Sequence, residues 1–400
     1  MTASTSPFNL ETCARPNILK LVPYRCARDD YKDDGTNILL DANENAYGPS
    51  LPLTASSTAE TAGLHRYPDP HQHVLKSAFC ALRNTNPSKP LTPENLFLGV
   101  GSDEAIDALL RCFCTPGKDK ILTCPPTYGM YSVSAQVNDI EVVKVDLNLE
   151  SGRLELRPDA INEALSQDAN IKVVYICSPG NPTGALVDPE AVKKVLAHPT
   201  WNGVVVVDEA YVDFAPEGGS LAPWVVDYPN LVVMQTLSKA FGLAGIRLGA
   251  AFTSPPIAQL LNNLKAPYSI STPTSSLAYT ALSEAGLAVK SENVAKILSQ
   301  RARLLRELPS VPGIGRFLGG FDANFILVEI LDGPGGKPSN TVALAAYKGL
   351  AETRGVVVRF RGGEKGCFGC LRMTVGTEEE NGRLLERLRG ILEGIYSTSA

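Results

Sequence analysis

Short unbroken apolar runs alternate along this chain with stretches in which apolar residues recur every three or four positions. Leu96–Val100, Ile121–Leu122 within Lys120–Thr123, Ile171–Cys177, Gly203–Val207 and Leu231–Met234 are runs of the first kind. Their length and β-branched content predict strands covered on both faces. Residues 73–83 carry the helical rhythm, as do Ile106, Leu109, Leu110 and Phe113 after the first run. Strands alternating with helices from about 60 to 285 predict a three-layer α/β/α domain around a mostly parallel sheet.

Beyond a Pro-rich stretch the rhythm changes. A helix is expected over 286–308, a strand at Asn324–Glu329 and a helix over 341–353. Strands at Gly355–Arg359 and Cys370–Gly376 and a last helix follow. This predicts a smaller α+β domain formed by 1–59 and 286–400. Its N-terminal arm is irregular, apart from a strand at Ile38–Leu40 that runs into the polar turn Asp41–Pro49.

Composition narrows the partners. A formal net charge of -5 argues against a nucleic-acid backbone or an anionic membrane surface. No apolar run reaches the ~20 residues of a membrane helix. The first seventeen residues hold one arginine and no apolar core, and the nine cysteines lie scattered in apolar stretches. The cytoplasm is therefore the expected compartment. Cys367-Phe368-Gly369-Cys370 lacks a second cysteine pair, and His71-Gln72-His73 is only a two-ligand fragment. No metal site is expected from either.

The chemistry gathers where runs end. Gly101-Ser102-Asp103-Glu104 opens a helix after the first strand, and free amides at such a start attract phosphate. A stiff Pro125-Pro126 turn presents Tyr128. Asn181 lies in the loop after Cys177, and the valine run ends on Asp208-Glu209 with Tyr211 three positions beyond the aspartate. Thr236, Ser238, Lys239 and Arg247 follow the run at 231–234. A desolvated lysine there is a usable amine nucleophile, beside hydroxyl and guanidinium donors suited to phosphate. Pyridoxal 5'-phosphate asks for this set: a lysine for its aldehyde, a carboxylate for its ring nitrogen, donors for its phenolate oxygen and a phosphate cradle.

Asn181-Pro-Thr-Gly, Asp208-Glu-Ala-Tyr211 and Ser238-Lys239-Ala-Phe-Gly-Leu-Ala-Gly-Ile-Arg247-Leu-Gly resemble the motifs of fold-type I aminotransferases. Pro125-Pro-Thr-Tyr-Gly-Met-Tyr, Asp208–Phe214 and Cys370-Leu-Arg-Met-Thr-Val-Gly are similar in particular to the histidinol-phosphate aminotransferase subgroup. The resemblance implies that Lys239 is the Schiff-base lysine and proton carrier and that Asp208 pairs with the ring nitrogen. Tyr211 and Asn181 would bond the phenolate oxygen, and Tyr128 would stack on the ring. Ser102, Asp103, Glu104, Thr236, Ser238 and Arg247 would surround the phosphate. Tyr47 would reach a partner subunit's cofactor, which implies a homodimer. Arg359 and Arg372, with Tyr24 and Asn181, would hold the substrate's anionic group. The implied substrates are glutamate, 2-oxoglutarate and histidinol phosphate. Relatives that act on aromatic amino acids, or decarboxylate a phosphorylated threonine, share the cofactor residues. A non-catalytic sensing module of the same fold is disfavoured by the intact Lys239 and by the lack of a basic N-terminal domain.

Overall fold

A computed structural model of the chain describes residues 6–22, 63–150 and 152–399. Tyr24, Tyr47 and the expected strand and turn at 38–49 lie outside the described residues. Eleven strands fall within them, in two sheets. The larger sheet holds β1 (Leu96–Val100), β2 (Lys120–Thr123), β3 (Glu141–Lys144), β4 (Ile171–Cys177), β5 (Val204–Asp208), β6 (Leu231–Thr236) and β7 (Leu248–Thr253), in the order β1-β7-β6-β5-β4-β2-β3. Neighbours from β6 through β3 pair in parallel, and β7 runs antiparallel to both β6 and β1.

The valine run of β5 shows how the sheet is covered. Val205 and Val207 face a core containing Leu75 and Phe79 of α1 (His73–Arg83) and Val192 and Val195 of α2 (Pro189–Leu196). Val204 and Val206 face the opposite core, with Ile106, Leu109 and Phe113 of α3 (Gly101–Phe113). All four valines are fully buried, so the unbroken apolar run is a period-two pattern with a hydrophobic partner on each side. Each is worth about 1.5–3 kcal/mol over an exposed valine.

The smaller sheet has β8 (Ile314–Leu318), β9 (Phe325–Ile330), β10 (Arg359–Phe360) and β11 (Cys370–Thr374), in the antiparallel order β10-β11-β9-β8. Helices α4 (Glu284–Glu307), α5 (Asn340–Arg354) and α6 (Glu378–Ser399) supply Leu304, Ala346, Leu350, Leu388 and Leu392 to its own core.

One expectation needs correction. The strand expected at Gly355–Arg359 shrinks to Arg359–Phe360, because Gly355 takes φ 62 to cap α5 and the Val356 amide donates to Leu350 O. Val357 is left exposed, and pairing begins only where Arg359 meets Arg372. The apolar pattern also does not announce β3, β7 or β8. β3 is a sheet edge with no fully buried residue, β7 is built mainly from small residues, and β8 carries Arg316.

Candidate active site

β5, β4 and β6 end on one side of the larger sheet, and α3 begins there after β1. Their end residues line a cavity of about 460 Å³. Ser102, Asp103, Tyr128, Asn181, Asp208, Tyr211, Thr236, Ser238, Lys239 and Arg247 reach it from the larger sheet. Arg359 and Arg372 close it from the smaller one. Glu104 does not line it, because its carboxylate turns back to accept from the Val100 amide. A larger groove of about 930 Å³ behind the Asn181 loop includes none of Lys239, Asp208, Tyr211, Arg359 or Arg372.

The phosphate-sized end is set by close backbone packing. The Val100 amide is taken by Glu104 and the Gly101 amide by Arg247 O at 3.1 Å. The remaining orphan amides of the first turn, on Ser102 and Asp103, are available to an anion. Gly101 has φ +72, and a Cβ there would lie 2.6 Å from Arg247 Nη2. A Cβ on Gly249 would lie 2.5 Å from Ser102 N. The two glycines therefore let the helix start, β7 and the Arg247 guanidinium converge. Thr236 Oγ1 lies 2.9 Å from Ser238 Oγ and 3.0 Å from Leu248 O. Arg247 Nη2 lies 3.6 Å from Asp103 Oδ2. Two amides, two hydroxyls and a guanidinium suit a phosphate monoester.

At the other end lie an amine and a buried acid. Lys239 Nζ sits 5.6 Å from the centre of the Tyr211 ring, in the return between β6 and antiparallel β7. Asp208 is 2% exposed; its Oδ2 accepts from Tyr131 Oη (2.7 Å) and its Oδ1 from the Ala210 amide (3.1 Å). Asn181 Oδ1 accepts from Arg372 Nη1 (2.5 Å) and Arg361 Nη2 (3.4 Å). A phosphorylated pyridine aldehyde fits this donor set, which offers an amine, a buried carboxylate and phosphate donors.

A comparison with protein families matches residues 35–388 to aminotransferase class I and II. The chain belongs to this aminotransferase family. Among curated relatives, the histidinol-phosphate aminotransferase of Schizosaccharomyces pombe is 54% identical, over 98% of this chain and 99% of that one. Its counterpart from Saccharomyces cerevisiae is 50% identical, over 96% and 98%. In fold, the chain is similar to the histidinol-phosphate aminotransferase of Sinorhizobium meliloti solved with pyridoxal-5'-phosphate. That likeness has a TM-score of 0.72 and 24% identity, and covers 88% of this chain and 90% of that one. The larger sheet and its flanking helices are thus those of a fold-type I aminotransferase.

Electrostatics separate the aminotransferase residues from their neighbours. Burial raises the Asp208 carboxyl above its ordinary range, against the Tyr131 and Ala210 hydrogen bonds that lower it. A cation placed against it would remove that cost. Glu209, the next residue and equally buried, points into a different network. It accepts from Ser220 Oγ, the Leu221 amide and Gln235 Nε2, and burial pushes it up to about 7. One strand end thus presents one acid to the cavity and one to the interior. Lys239 is lowered by burial and by Arg372, partly offset by Asp208. Lys76 is lowered to about 8 and Lys265 is also lowered, both chiefly by burial. They bond Asn262 Oδ1 and Leu98 O instead. A shifted lysine does not by itself locate chemistry; its surroundings do. Burial holds the Tyr211 phenol at about 12, so near neutrality it is a donor. The Cys367 thiol, likewise buried, is pushed up to about 12 and is not a reactive thiolate.

Two cavity residues, Cys177 and Arg361, were not singled out from the sequence, nor was Tyr131, which holds Asp208 from the interior. Tyr131, three positions after Tyr128, is fully buried and stacks on Tyr175 at 4.6 Å while it holds Asp208. Helical spacing from Tyr128 was the available signal. Cys177 pairs in register with Asp208, and Arg361 joins Arg359 and Arg372. The i, i+2 spacing of Arg359 and Arg361 places both on one face of an extended segment.

Proposed function

We propose that the chain catalyses transamination between L-glutamate and imidazole acetol phosphate, giving 2-oxoglutarate and L-histidinol phosphate, with pyridoxal 5'-phosphate as cofactor. The observation that carries this reading is the 54% identity, over nearly the whole of both chains, to a curated histidinol-phosphate aminotransferase. The convergence of Lys239, Asp208 and the Arg359–Arg372 pair on one cavity supports it.

Bound there, the cofactor supplies an electron sink for the charge that develops at the substrate Cα. Lys239 would hold the cofactor's aldehyde and would carry the proton to and from the substrate Cα; burial, which lowers its affinity for a proton, favours the neutral amine that this role needs. Asp208, buried at the end of β5, would hold a protonated ring nitrogen. Tyr211 and Asn181 would donate to the phenolate oxygen, and Tyr128 would cover the ring face. The amides of Ser102 and Asp103, the hydroxyls of Thr236 and Ser238 and the Arg247 guanidinium would hold the cofactor phosphate.

Arg359 and Arg372 stand directly opposite on β10 and β11. Arg372 receives the α-carboxylate of glutamate in one half-reaction, and both arginines receive the phosphate of histidinol phosphate in the other. The proposal includes a division into a cofactor domain at 60–285 and a small domain at 1–59 and 286–400. It also includes a homodimer in which Tyr47 reaches the partner's cofactor and Tyr24 reaches the substrate, and a cytoplasmic location. Among the described residues no helix is long and apolar enough to cross a membrane.

The test is to add histidinol phosphate, phenylalanine and phosphothreonine separately to the cofactor-loaded protein and follow the cofactor's absorbance. Conversion by histidinol phosphate at far lower concentration than by phenylalanine is expected. Preference for phenylalanine, or carbon dioxide release from phosphothreonine, would overturn the substrate assignment. Shared sites are tested by mixing Tyr47→Ala and Lys239→Ala proteins. Activity should return as subunits exchange; proven exchange without recovery would contradict the shared site.

A further inference from the structure

Three guanidiniums, not two, face the substrate end of the cavity. Arg361 continues β10 beyond its assigned end, its amide donating to Cys370 O at 2.9 Å. Its side chain is spread across two partners: Nη1 lies 2.6 Å from Glu364 Oε1, and Nη2 donates to Asn181 Oδ1 at 3.4 Å. The Nε atoms of Arg361 and Arg372 are both buried and have no hydrogen-bond partner among the described residues. Unpartnered buried donors are costly, so the packed arginine cluster is not fully satisfied within the chain. Asn181 offers its one side-chain oxygen to both Arg361 and Arg372, which fixes the amide and turns its donors away from them.

Charge points the same way. Arg372 is lowered chiefly by burial and then by Arg361 and, more weakly, Arg359, against Tyr211 and Glu364, so the three clustered cations repel one another. The carboxylate that ion-pairs with this group is Glu364. Three cations against one acid leave an excess near two positive charges, which matches a phosphate monoester dianion better than a single carboxylate.

We propose that Arg361 is a specificity-determining residue and that Glu364 is its counterweight: Arg361 supplies the second unit of excess charge that selects a doubly charged substrate group, and Glu364 sets how much of that charge is offered. This rests on the proposed phosphorylated substrate and names the residues that favour it over glutamate. Removing Arg361 weakens a dianion more than a monoanion, and removing the Glu364 charge does the reverse.

The experiment titrates the cofactor-loaded protein calorimetrically with methyl phosphate and with acetate, in wild type, Arg361→Gln, Arg361→Lys and Glu364→Gln. Melting temperatures confirm that each variant is folded. Arg361→Gln should weaken methyl phosphate by about tenfold, the loss of one charged hydrogen bond, and acetate by less than about threefold. Arg361→Lys, which keeps the charge without the planar fork, should fall between wild type and Arg361→Gln. Glu364→Gln should tighten methyl phosphate by about threefold or more, a gain that a merely structural glutamate would not give. Equal losses for both anions in Arg361→Gln, or unchanged or weaker methyl phosphate binding in Glu364→Gln, would overturn the proposal. The two possible failures are distinct. Wild-type protein that rejects histidinol phosphate refutes the substrate assignment; wild type that accepts it while Arg361→Gln keeps the two-anion ratio refutes only the role of Arg361.

Discussion

The two sheets reach the cavity by different means. The larger presents Asp208 from a strand whose residues are all buried, with Val204–Val207 packed on both faces. The smaller presents Arg359 from a two-residue strand at a sheet edge, with its side chain exposed. A buried strand end can shift a proton affinity and hold an orientation, and Asp208 and Lys239 are both shifted by burial. An exposed edge does neither well, but it can meet a charged molecule arriving from water. The difference teaches that the buried rim can alter the proton affinity of Asp208 and Lys239, whereas the exposed edge leaves Arg359 open to a charged molecule from solvent.

The deep rim should be the more sensitive. Lys239→Ala is expected to lower the rate of either half-reaction by about 10⁴-fold, the upper end for a lost general acid–base group. Stopped-flow single turnovers measure it; a loss below tenfold for both substrates would break the comparison. Asp208→Ala should cost roughly 10²–10⁴-fold in the same measurement. An Asp208→Ala protein within a few-fold of wild type would show that the buried carboxylate is structural.

On the shallow rim the effects should be smaller and substrate-dependent. Arg359→Ala should reduce kcat/KM for histidinol phosphate by about tenfold or more and leave glutamate nearly unchanged, whereas Arg372→Ala should hurt both. Equal losses for both substrates in Arg359→Ala would remove the distinction between the two arginines.

A last effect, on stability and not on rate, sharpens the contrast within the deep rim itself. Burial raises Glu209 from 4.5 to about 7, so between those values the folded protein holds a proton the unfolded chain has lost. Its contribution is therefore fullest below about pH 4.5 and declines as pH rises through 7, by roughly 3 kcal/mol in all. Denaturant unfolding from pH 4.5 to 8 should show this slope in wild type and a flatter one in Glu209→Gln. An unchanged slope would mean that Glu209 is ionised throughout.

How much of this was legible follows from the kind of signal each part leaves. The strand ends carrying Asn181, Asp208 and Lys239 were readable because β4, β5 and β6 are long, doubly buried runs whose ends stand out. Arg359 and Arg372 were readable only through family motifs, since their facing positions depend on a pairing of β10 with β11 that the valines at 356–358 placed too early. Tyr131 was hidden because an aromatic in a helix is usually core; here it is core and also holds Asp208. Arg361 was hidden because Gly362-Gly363 follow it and its partner Asn181 lies 180 positions away. β7 escaped notice because Leu-Gly-Ala-Ala-Phe-Thr has little apolar bulk, although Gly249 on it permits the helix start to approach.

The central claim is that Lys239 carries the cofactor at the meeting of the two rims. Borohydride reduction of the pyridoxal 5'-phosphate-loaded protein, followed by digestion and peptide mapping, tests it directly. Lys76 and Lys265 are the informative rivals, because burial lowers their proton affinity as well. A single labelled peptide modified at Lys239 is the predicted result; stoichiometric label on Lys76, Lys265 or any other lysine, with Lys239 unmodified, would contradict it.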